Sequence, residues 1–125
     1  MSSGKILYVE DNPQNMRLIR KMLNTEYEMI EACNGEAGLQ MAVAFKPALI
    51  LMDVNLPDID GLEVTAQLKS HAETAHIPII ALTANAMYGD RERFLAAGCD
   101  GYLAKPVTRN ELLNTISYYM RLCNV

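Results

Sequence analysis

The chain has 125 residues, of which half are apolar and 21% are charged. That composition is typical of one soluble, folded domain and not of a disordered chain. Its 11 basic and 15 acidic side chains give a net charge of −4, which argues against direct binding to DNA or to an anionic membrane surface.

The sequence also lacks the features of a secreted or membrane-embedded protein. Its three cysteines, Cys33, Cys99 and Cys123, are widely spaced and form neither a disulfide framework nor a zinc motif. Apolar runs such as 48–52 are far shorter than the roughly 20 residues that a membrane span requires. The first residues do not have the pattern of a secretory signal. We therefore expect a cytoplasmic protein with no membrane partner.

Short apolar segments alternate along the chain with patterns that predict helices. In chain order, the first half predicts a strand at 5–9, a helix from the caps Asp11-Asn12 and Pro13, a weaker strand at 27–32, a helix from Asn34-Gly35 that ends before Pro47, a strand at 48–52 and a helix at 61–70. The second half predicts a strand at 78–82, a helix at 86–97 that ends at Gly98, a strand at 101–104 and a last helix from the capping box Thr108-x-x-Glu111.

This alternation indicates a doubly wound α/β fold. Short parallel strands need crossover connections, and helices that cover both faces of a sheet form a three-layer domain. The segment 48–52 (ALILM) is apolar throughout, as a strand buried on both faces must be. We predict a single domain over residues 1–125, with a core at about 5–122, a five-stranded parallel sheet and five helices. Ligands in such folds bind outside the carboxyl ends of the strands.

Polar and charged side chains stand at the predicted carboxyl ends of four strands. They are, in chain order, Glu10, Asp11, Asp53, Thr83 and Lys105. Three clustered carboxylates repel one another unless a cation joins them, and oxygen ligands suit a hard ion such as Mg²⁺. A bound Mg²⁺, an ammonium and a hydroxyl can together neutralise a phosphoryl group in transfer, and a central carboxylate can accept it as an acyl phosphate.

Each of these residues, taken singly, also has a simple structural explanation. Asp11 could cap the first helix, Asp53 could open a loop and Thr83 could hydrogen-bond to its own backbone. Lys105 could be an exposed surface lysine. Their joint occurrence at one edge of one sheet favours a functional site over separate coincidences.

The sequence resembles the receiver domains of two-component response regulators from residue 5 to about residue 122. The matching motifs are Glu10-Asp11 followed by Asn12, Asp53 followed by Pro57 and Gly61, the pair Thr83-Ala84, and Lys105-Pro106. The stretches MDVNLPDIDGLEV, IPIIALTANAM and AGCDGYLAKP are similar to the stand-alone, single-domain DivK type. The resemblance implies a CheY-like domain with the flavodoxin-like strand order 2-1-3-4-5.

The resemblance also implies a role for each residue of the acidic site. Asp53 would accept a phosphoryl group from a phosphohistidine in a phosphorelay. Mg²⁺, or Mn²⁺ as an alternative ion, would be held by four groups: Glu10, Asp11, Asp53 and the backbone carbonyl of Asn55. Lys105 would pair with Asp53 and then with a phosphoryl oxygen.

A conformational switch is implied as well. Thr83 would hydrogen-bond to another phosphoryl oxygen, and Tyr102 would turn inward into the space that Thr83 vacates. The Lys-Pro peptide bond is commonly cis in the family, so the bond between Lys105 and Pro106 is a candidate cis peptide.

Three other functions use a similar pattern. A haloacid-dehalogenase-type phosphatase needs a second Asp two residues after its nucleophile, where this chain has Asn55. A flavodoxin-like nucleotide or flavin binder needs a Gly-rich loop after the first strand, where this chain is acidic. A pseudo-receiver would only bind partners and would usually have an incomplete acidic site. We therefore do not expect the chain to be an enzyme that turns over an independent substrate.

The implied partners are proteins. The donor would be a sensor histidine kinase, a histidine phosphotransfer protein, or both, and the output would be contact with a downstream protein through helix four, strand five and helix five. Because the chain ends at Val125, soon after the last helix, we expect no output domain and no direct DNA binding. A receiver domain excised from a hybrid histidine kinase would give the same pattern and is the alternative.

Overall fold

The computed structural model describes residues 5–84 and 90–123 and alternates strands with helices along the chain. Its elements are, in order, β1 (Lys5–Val9), α1 (Pro13–Leu23), β2 (Glu28–Ala32), α2 (Gly35–Phe45), β3 (Leu49–Asp53), α3 (Gly61–Lys69), β4 (Ile79–Thr83), α4 (Asp90–Ala97), β5 (Gly101–Ala104) and α5 (Arg109–Cys123). None of the helices in the described part of the chain is both long enough and apolar enough to cross a membrane.

The five strands form one parallel sheet in the order β2-β1-β3-β4-β5. This confirms the predicted doubly wound α/β fold and the order 2-1-3-4-5. Asp53 lies opposite Leu82 and Thr83 lies opposite Ala104, so the ends of β3, β4 and β5 are level with one another. The register therefore brings the polar residues at the strand ends to one edge of the sheet.

Two apolar clusters cover the two faces of the sheet. Ile6 and Tyr8 of β1 belong to a cluster with buried residues of α1 and α5, whereas Leu7 and Val9 belong to a cluster with α2 and α3. Successive residues of a strand point to opposite faces, which explains this division. β3 and β4 are buried at every position, as the continuous apolar character of their segments predicts.

Capping side chains fix the helix starts close to the predicted positions. Asn12 accepts hydrogen bonds from the backbone N–H groups of Gln14 and Asn15 at 2.8 and 3.0 Å. The predicted capping box also forms, because the Glu111 N–H donates to the Thr108 hydroxyl at 3.1 Å and the Thr108 N–H donates to the Glu111 carboxylate at 3.0 Å. Asn12 is thus the cap of α1, which leaves Asp11 available for the acidic site.

Several element bounds differ from the prediction by one residue. β3 and β4 start and end one residue later than the predicted 48–52 and 78–82, because ladder pairing continues to Asp53 and Thr83. Tyr27 belongs to the turn after α1, where its N–H donates to the Leu23 carbonyl at 2.9 Å. Residues 86–89 of the predicted fourth helix lie outside the described residues. α4 ends before Gly98, whose φ of 107° is left-handed.

Candidate functional site

The acidic residues predicted at the strand ends lie together. Glu10 follows β1 and is 2% exposed, and Asp53 ends β3 and is 4% exposed. One carboxylate oxygen from each of Glu10, Asp11 and Asp53 lies within 4.8 Å of the others. Asp11 is exposed, so the group is open to solvent on its side. Three oxygen donors at this separation can share one cation.

A close approach of two backbone segments fixes the position of Asp53. The N–H of Gly61, the first residue of α3, donates to the Val54 carbonyl at 3.0 Å. A Cβ atom on Gly61 would lie only 2.1 Å from the Asp53 carbonyl oxygen. Only glycine therefore lets α3 begin against the end of β3. The loop between them contains Asn55, whose N–H donates to Asp53 Oδ1 at 3.4 Å.

Lys105 joins two of the three carboxylates. Its ammonium lies 3.0 Å from Glu10 Oε1 and 3.2 Å from Asp53 Oδ1. The Lys105 N–H donates to the Thr83 carbonyl at 2.8 Å, which ties the residue to the end of β4. The peptide bond between Lys105 and Pro106 is cis.

The two buried carboxyl groups titrate differently. Burial alone would raise the pKa of Glu10, but hydrogen bonds from Tyr8 and Lys105 outweigh burial and lower it. Burial raises the pKa of Asp53 from 3.8 to about 6, with the charge of Lys105 opposing and that of Glu10 adding to the shift. Burial would lower the pKa of Lys105, but its two acidic neighbours raise it. Asp53 is thus mainly ionised at neutral pH yet retains appreciable basicity.

The predicted switch residues occupy different environments. Thr83 is 3% exposed at the end of β4, beside the acidic group in the sheet register. Tyr102 is 37% exposed, and its ring packs against Phe94 with 5.4 Å between ring centroids. Tyr102 is thus in an outward position, and the inward position remains a prediction.

Two contacts near the site were not predicted from the sequence. The Tyr8 hydroxyl donates to Glu10 Oε1 at 2.7 Å from within the core. Asp58, in the loop after β3, accepts hydrogen bonds from the N–H groups of Gly35 and Glu36 at 2.8 and 3.0 Å, which holds this loop against the start of α2. The first contact had a signal in the sequence, because Glu10 directly follows β1 and residues two apart in an extended segment share a face. The contacts of Asp58 join residues 23 and 22 positions apart, and no signal in the sequence indicated them.

The donor set fits a hard divalent cation. Carboxylate oxygens are the ligands that Mg²⁺ prefers, and Mg²⁺ is usually held by one or two carboxylates with water in the remaining positions. Three carboxylates beside a single ammonium leave an excess of negative charge when all are ionised, which a divalent ion would offset. The positive charges of the ammonium and of such a divalent ion would also suit the oxygens of a phosphoryl group.

Comparisons with known proteins agree with this chemistry. A family model for the response regulator receiver domain matches residues 6–117. The polar-differentiation response regulator DivK of Brucella anthropi is 45% identical over 116 residues, which cover 92% of this chain and 94% of that protein. DivK of Brucella ovis is 44% identical with the same coverage.

Solved structures show the same architecture. The receiver domain of the sensor histidine kinase PA1611 from Pseudomonas aeruginosa is 39% identical, has a TM-score of 0.88, and covers 95% of this chain and 98% of its own. That crystal structure has a magnesium ion coordinated in its active-site cleft. The chemotaxis protein CheY4 of Vibrio cholerae is 26% identical, with a TM-score of 0.89 and coverage of 94% and 99%.

Proposed function

This chain belongs to the response regulator receiver domain family, and from that premise we propose that it accepts a phosphoryl group on Asp53 from a phosphohistidine, in a reaction that depends on Mg²⁺. The observation that carries the proposal is the setting of Asp53. A buried carboxyl group with a pKa of about 6 lies beside an ammonium, 3.2 Å away, and two further carboxyl groups.

Asp53 is the nucleophile in this reaction. One of its carboxylate oxygens attacks the phosphorus atom of the donor, and the bond between phosphorus and the histidine nitrogen breaks, with its electron pair returning to the imidazole. The product is an acyl phosphate on Asp53 and a neutral histidine on the donor, once the released nitrogen has taken up a proton. A pKa of about 6 leaves most Asp53 carboxyl groups ionised at pH 7, as a nucleophile must be.

The remaining residues stabilise charge. Glu10, Asp11 and Asp53, with the backbone carbonyl of Asn55, would hold Mg²⁺, and Mn²⁺ would be a substitute. A bound divalent ion supplies charge neutralisation for the phosphoryl oxygens. Lys105 is 3.2 Å from Asp53 and would transfer one of its hydrogen bonds to a phosphoryl oxygen.

The acyl phosphate then changes the protein surface. The Thr83 hydroxyl would bond to a second phosphoryl oxygen, and Tyr102 would leave its place on Phe94 for an inward position. Phosphorylation adds about −1.5 to −2 charges and three acceptor oxygens, which is enough to bias such a two-state equilibrium. The surface formed by α4, β5 and α5 is then the face that a downstream protein contacts.

The proposal includes the cellular setting of the protein. It is a cytoplasmic, single-domain regulator that works by protein contact, with a histidine kinase or a histidine phosphotransfer protein as donor. It binds no DNA directly and has no turnover substrate of its own. The net charge of −4 and the acidic site support protein partners over nucleic acid.

Intact-protein mass spectrometry tests the acceptor. The chain is incubated with acetyl phosphate and Mg²⁺, beside Asp53→Asn and the matched variant Asp58→Asn, which changes an exposed aspartate in the loop after β3. We expect one added phosphoryl group in the wild type and in Asp58→Asn, none in Asp53→Asn, and none after chelation. A gain in Asp53→Asn, or no gain in the wild type with either acetyl phosphate or a phosphorylated histidine phosphotransfer protein, would contradict the proposal.

A further inference from the structure

A fully buried tyrosine reaches the acidic site from the core. Tyr8 lies in β1 with none of its surface exposed, within the cluster that also contains Ile19, Leu82 and Val107. Its hydroxyl donates a hydrogen bond of 2.7 Å to Glu10 Oε1. The hydroxyl is therefore the one polar end of a side chain that is otherwise packed among apolar groups.

Glu10 accepts hydrogen bonds from three donors, and only one of them also bonds to Asp53. Oε1 accepts from the Tyr8 hydroxyl and from the Lys105 ammonium at 3.0 Å, and Oε2 accepts from the Asn12 N–H at 3.2 Å. Lys105 also bonds to Asp53, so it cannot serve Glu10 alone. Tyr8 and Asn12 make no hydrogen bond to Asp53 within the described part of the chain.

This division of donors has a consequence for phosphorylation. If Lys105 moves from the carboxylates to a phosphoryl oxygen, Glu10 Oε1 loses one of its two donors. The Tyr8 hydroxyl remains on Oε1, because its ring is held by packing on the α1 and α5 side of the sheet. The carboxylate then keeps its orientation without the lysine.

We propose that the Tyr8 hydroxyl is a positioning group that holds the Glu10 carboxylate in place for the divalent cation and frees Lys105 to follow the phosphoryl group. This inference rests on the proposed function. Groups that bond to metal ligands orient them, and loss of such a partner typically weakens metal binding by about 10- to 100-fold. Tyr8 acts through Glu10 and does not touch the reacting atoms.

Calorimetric titration with Mg²⁺ alone tests the proposal. Tyr8→Phe removes the hydroxyl and keeps the ring, and Tyr119→Phe is the matched control. The Tyr119 hydroxyl also donates one hydrogen bond, 2.9 Å to the Asp100 carbonyl, at the amino end of β5. We expect Mg²⁺ affinity to fall about tenfold in Tyr8→Phe and to stay unchanged in Tyr119→Phe. Unchanged or tighter binding in Tyr8→Phe overturns the proposal.

A double-mutant cycle separates positioning from a general structural effect. Glu10→Asp keeps a carboxylate but shortens it by one methylene, so it no longer reaches the Tyr8 hydroxyl. If Tyr8 acts through Glu10, adding Tyr8→Phe to Glu10→Asp weakens Mg²⁺ binding little further. Additive losses would mean that Tyr8 acts by another route. A wild-type chain that binds no Mg²⁺ would instead count against the proposed function itself.

Discussion

Two lysines, Lys69 and Lys105, join secondary-structure elements at opposite ends of the same sheet. The Lys69 ammonium lies at the amino ends of β4 and β5, where it bonds to the Ala75 carbonyl at 3.1 Å, the Ile77 carbonyl at 2.8 Å and Asp100 Oδ2 at 3.0 Å. One positive charge meets one carboxylate and two carbonyl groups. The three hydrogen atoms of the ammonium are thus satisfied and the charge is balanced.

The Lys105 cluster, at the carboxyl ends, is unbalanced. One ammonium serves both Glu10 and Asp53, and Asp11 adds a third carboxylate close by. The first cluster needs nothing further, whereas the second has a shortage of positive charge. Both clusters contain an ion pair, so it is the excess of carboxylates around Lys105 that makes its cluster, and not that of Lys69, a candidate site for a cation.

Breaking the balanced cluster should have the largest effect on stability. Lys69→Met leaves the Asp100 carboxylate and two carbonyl groups without their shared donor. We expect the free energy of unfolding, measured in urea, to fall by about 2–3 kcal/mol. The reason is that removing one partner from a partly buried charged network leaves the remaining groups without their hydrogen-bond partner. Lys21→Met, at an exposed lysine of α1, should change it by less than about 0.5 kcal/mol. Equal effects in both variants would contradict the structural role of Lys69.

Removing one negative charge from the unbalanced cluster should raise the free energy of unfolding instead of lowering it. The pKa of Asp53 is raised from 3.8 to about 6 in the folded chain, so between these values the folded state binds more protons than the unfolded state and stability falls as the pH rises. Asp53→Asn removes this loss. At about 1.4 kcal/mol per pKa unit the raised pKa corresponds to about 3 kcal/mol, with the opposing charge of Lys105 already included. Because the amide of Asn does not reproduce every hydrogen bond of a protonated carboxyl group, we expect the variant without metal at pH 7 to be more stable than the wild type by about 1–2 kcal/mol.

The pH dependence provides the control for Asp53→Asn. The difference in unfolding free energy between variant and wild type should be small near pH 4 and should reach its full value by about pH 7. Urea unfolding in the presence of a chelator at several pH values measures it. A variant that is less stable than the wild type at pH 7 would contradict the charge imbalance.

The two lysines should also differ in their effect on Mg²⁺ binding. Lys105→Met removes a cation that lies 3.0 and 3.2 Å from two of the carboxylates proposed to hold Mg²⁺. We expect Mg²⁺ affinity, measured by calorimetry, to rise by about fivefold because the ammonium no longer competes for the same charges. Lys69→Met should leave the affinity unchanged. Weaker Mg²⁺ binding in Lys105→Met would show that the lysine supports the cation site instead of competing with it.

The smallest effect is expected at the loop after β3. Hydrogen bonds from the N–H groups of Gly35 and Glu36 lower the pKa of Asp58 in the folded chain. Such a group stabilises the fold above its unfolded pKa, and the contribution is lost as the pH falls through the folded value. We therefore expect Asp58→Asn to be slightly less stable than the wild type at pH 7, with no difference at strongly acidic pH. A difference that persists in acid would contradict this.

Much of the fold could be predicted because its signals are local. The apolar segments and the caps Asn12 and Thr108 lie next to the elements that they define, so the elements were placed to within about a residue at most ends. The extra pairing at Asp53 and Thr83 could not be read from the sequence, because a polar residue can either end a strand or continue its ladder. Only the neighbouring strand decides which.

The residues of the site were likewise predictable where their signals are local and not where they depend on distant contacts. Glu10, Asp53 and Lys105 could be placed because the end of each apolar segment marks the edge of a parallel sheet. The ion pair between Lys69 and Asp100 joins residues 31 positions apart, and no rule of sequence spacing predicts such a contact. The outward position of Tyr102 was not predictable either, because the sequence does not select among the rotamers open to a side chain at the surface.

The difference between the two clusters can be tested most directly by NMR titration of the amide groups with Mg²⁺. We expect the amide signals of Glu10, Asp11, Asp53 and Asn55 to shift with a single affinity, while those of Lys69, Ile79 and Asp100 stay in place. No shift at the carboxyl ends of the strands, or equal shifts at both ends, would contradict the assignment of the unbalanced cluster as the cation site.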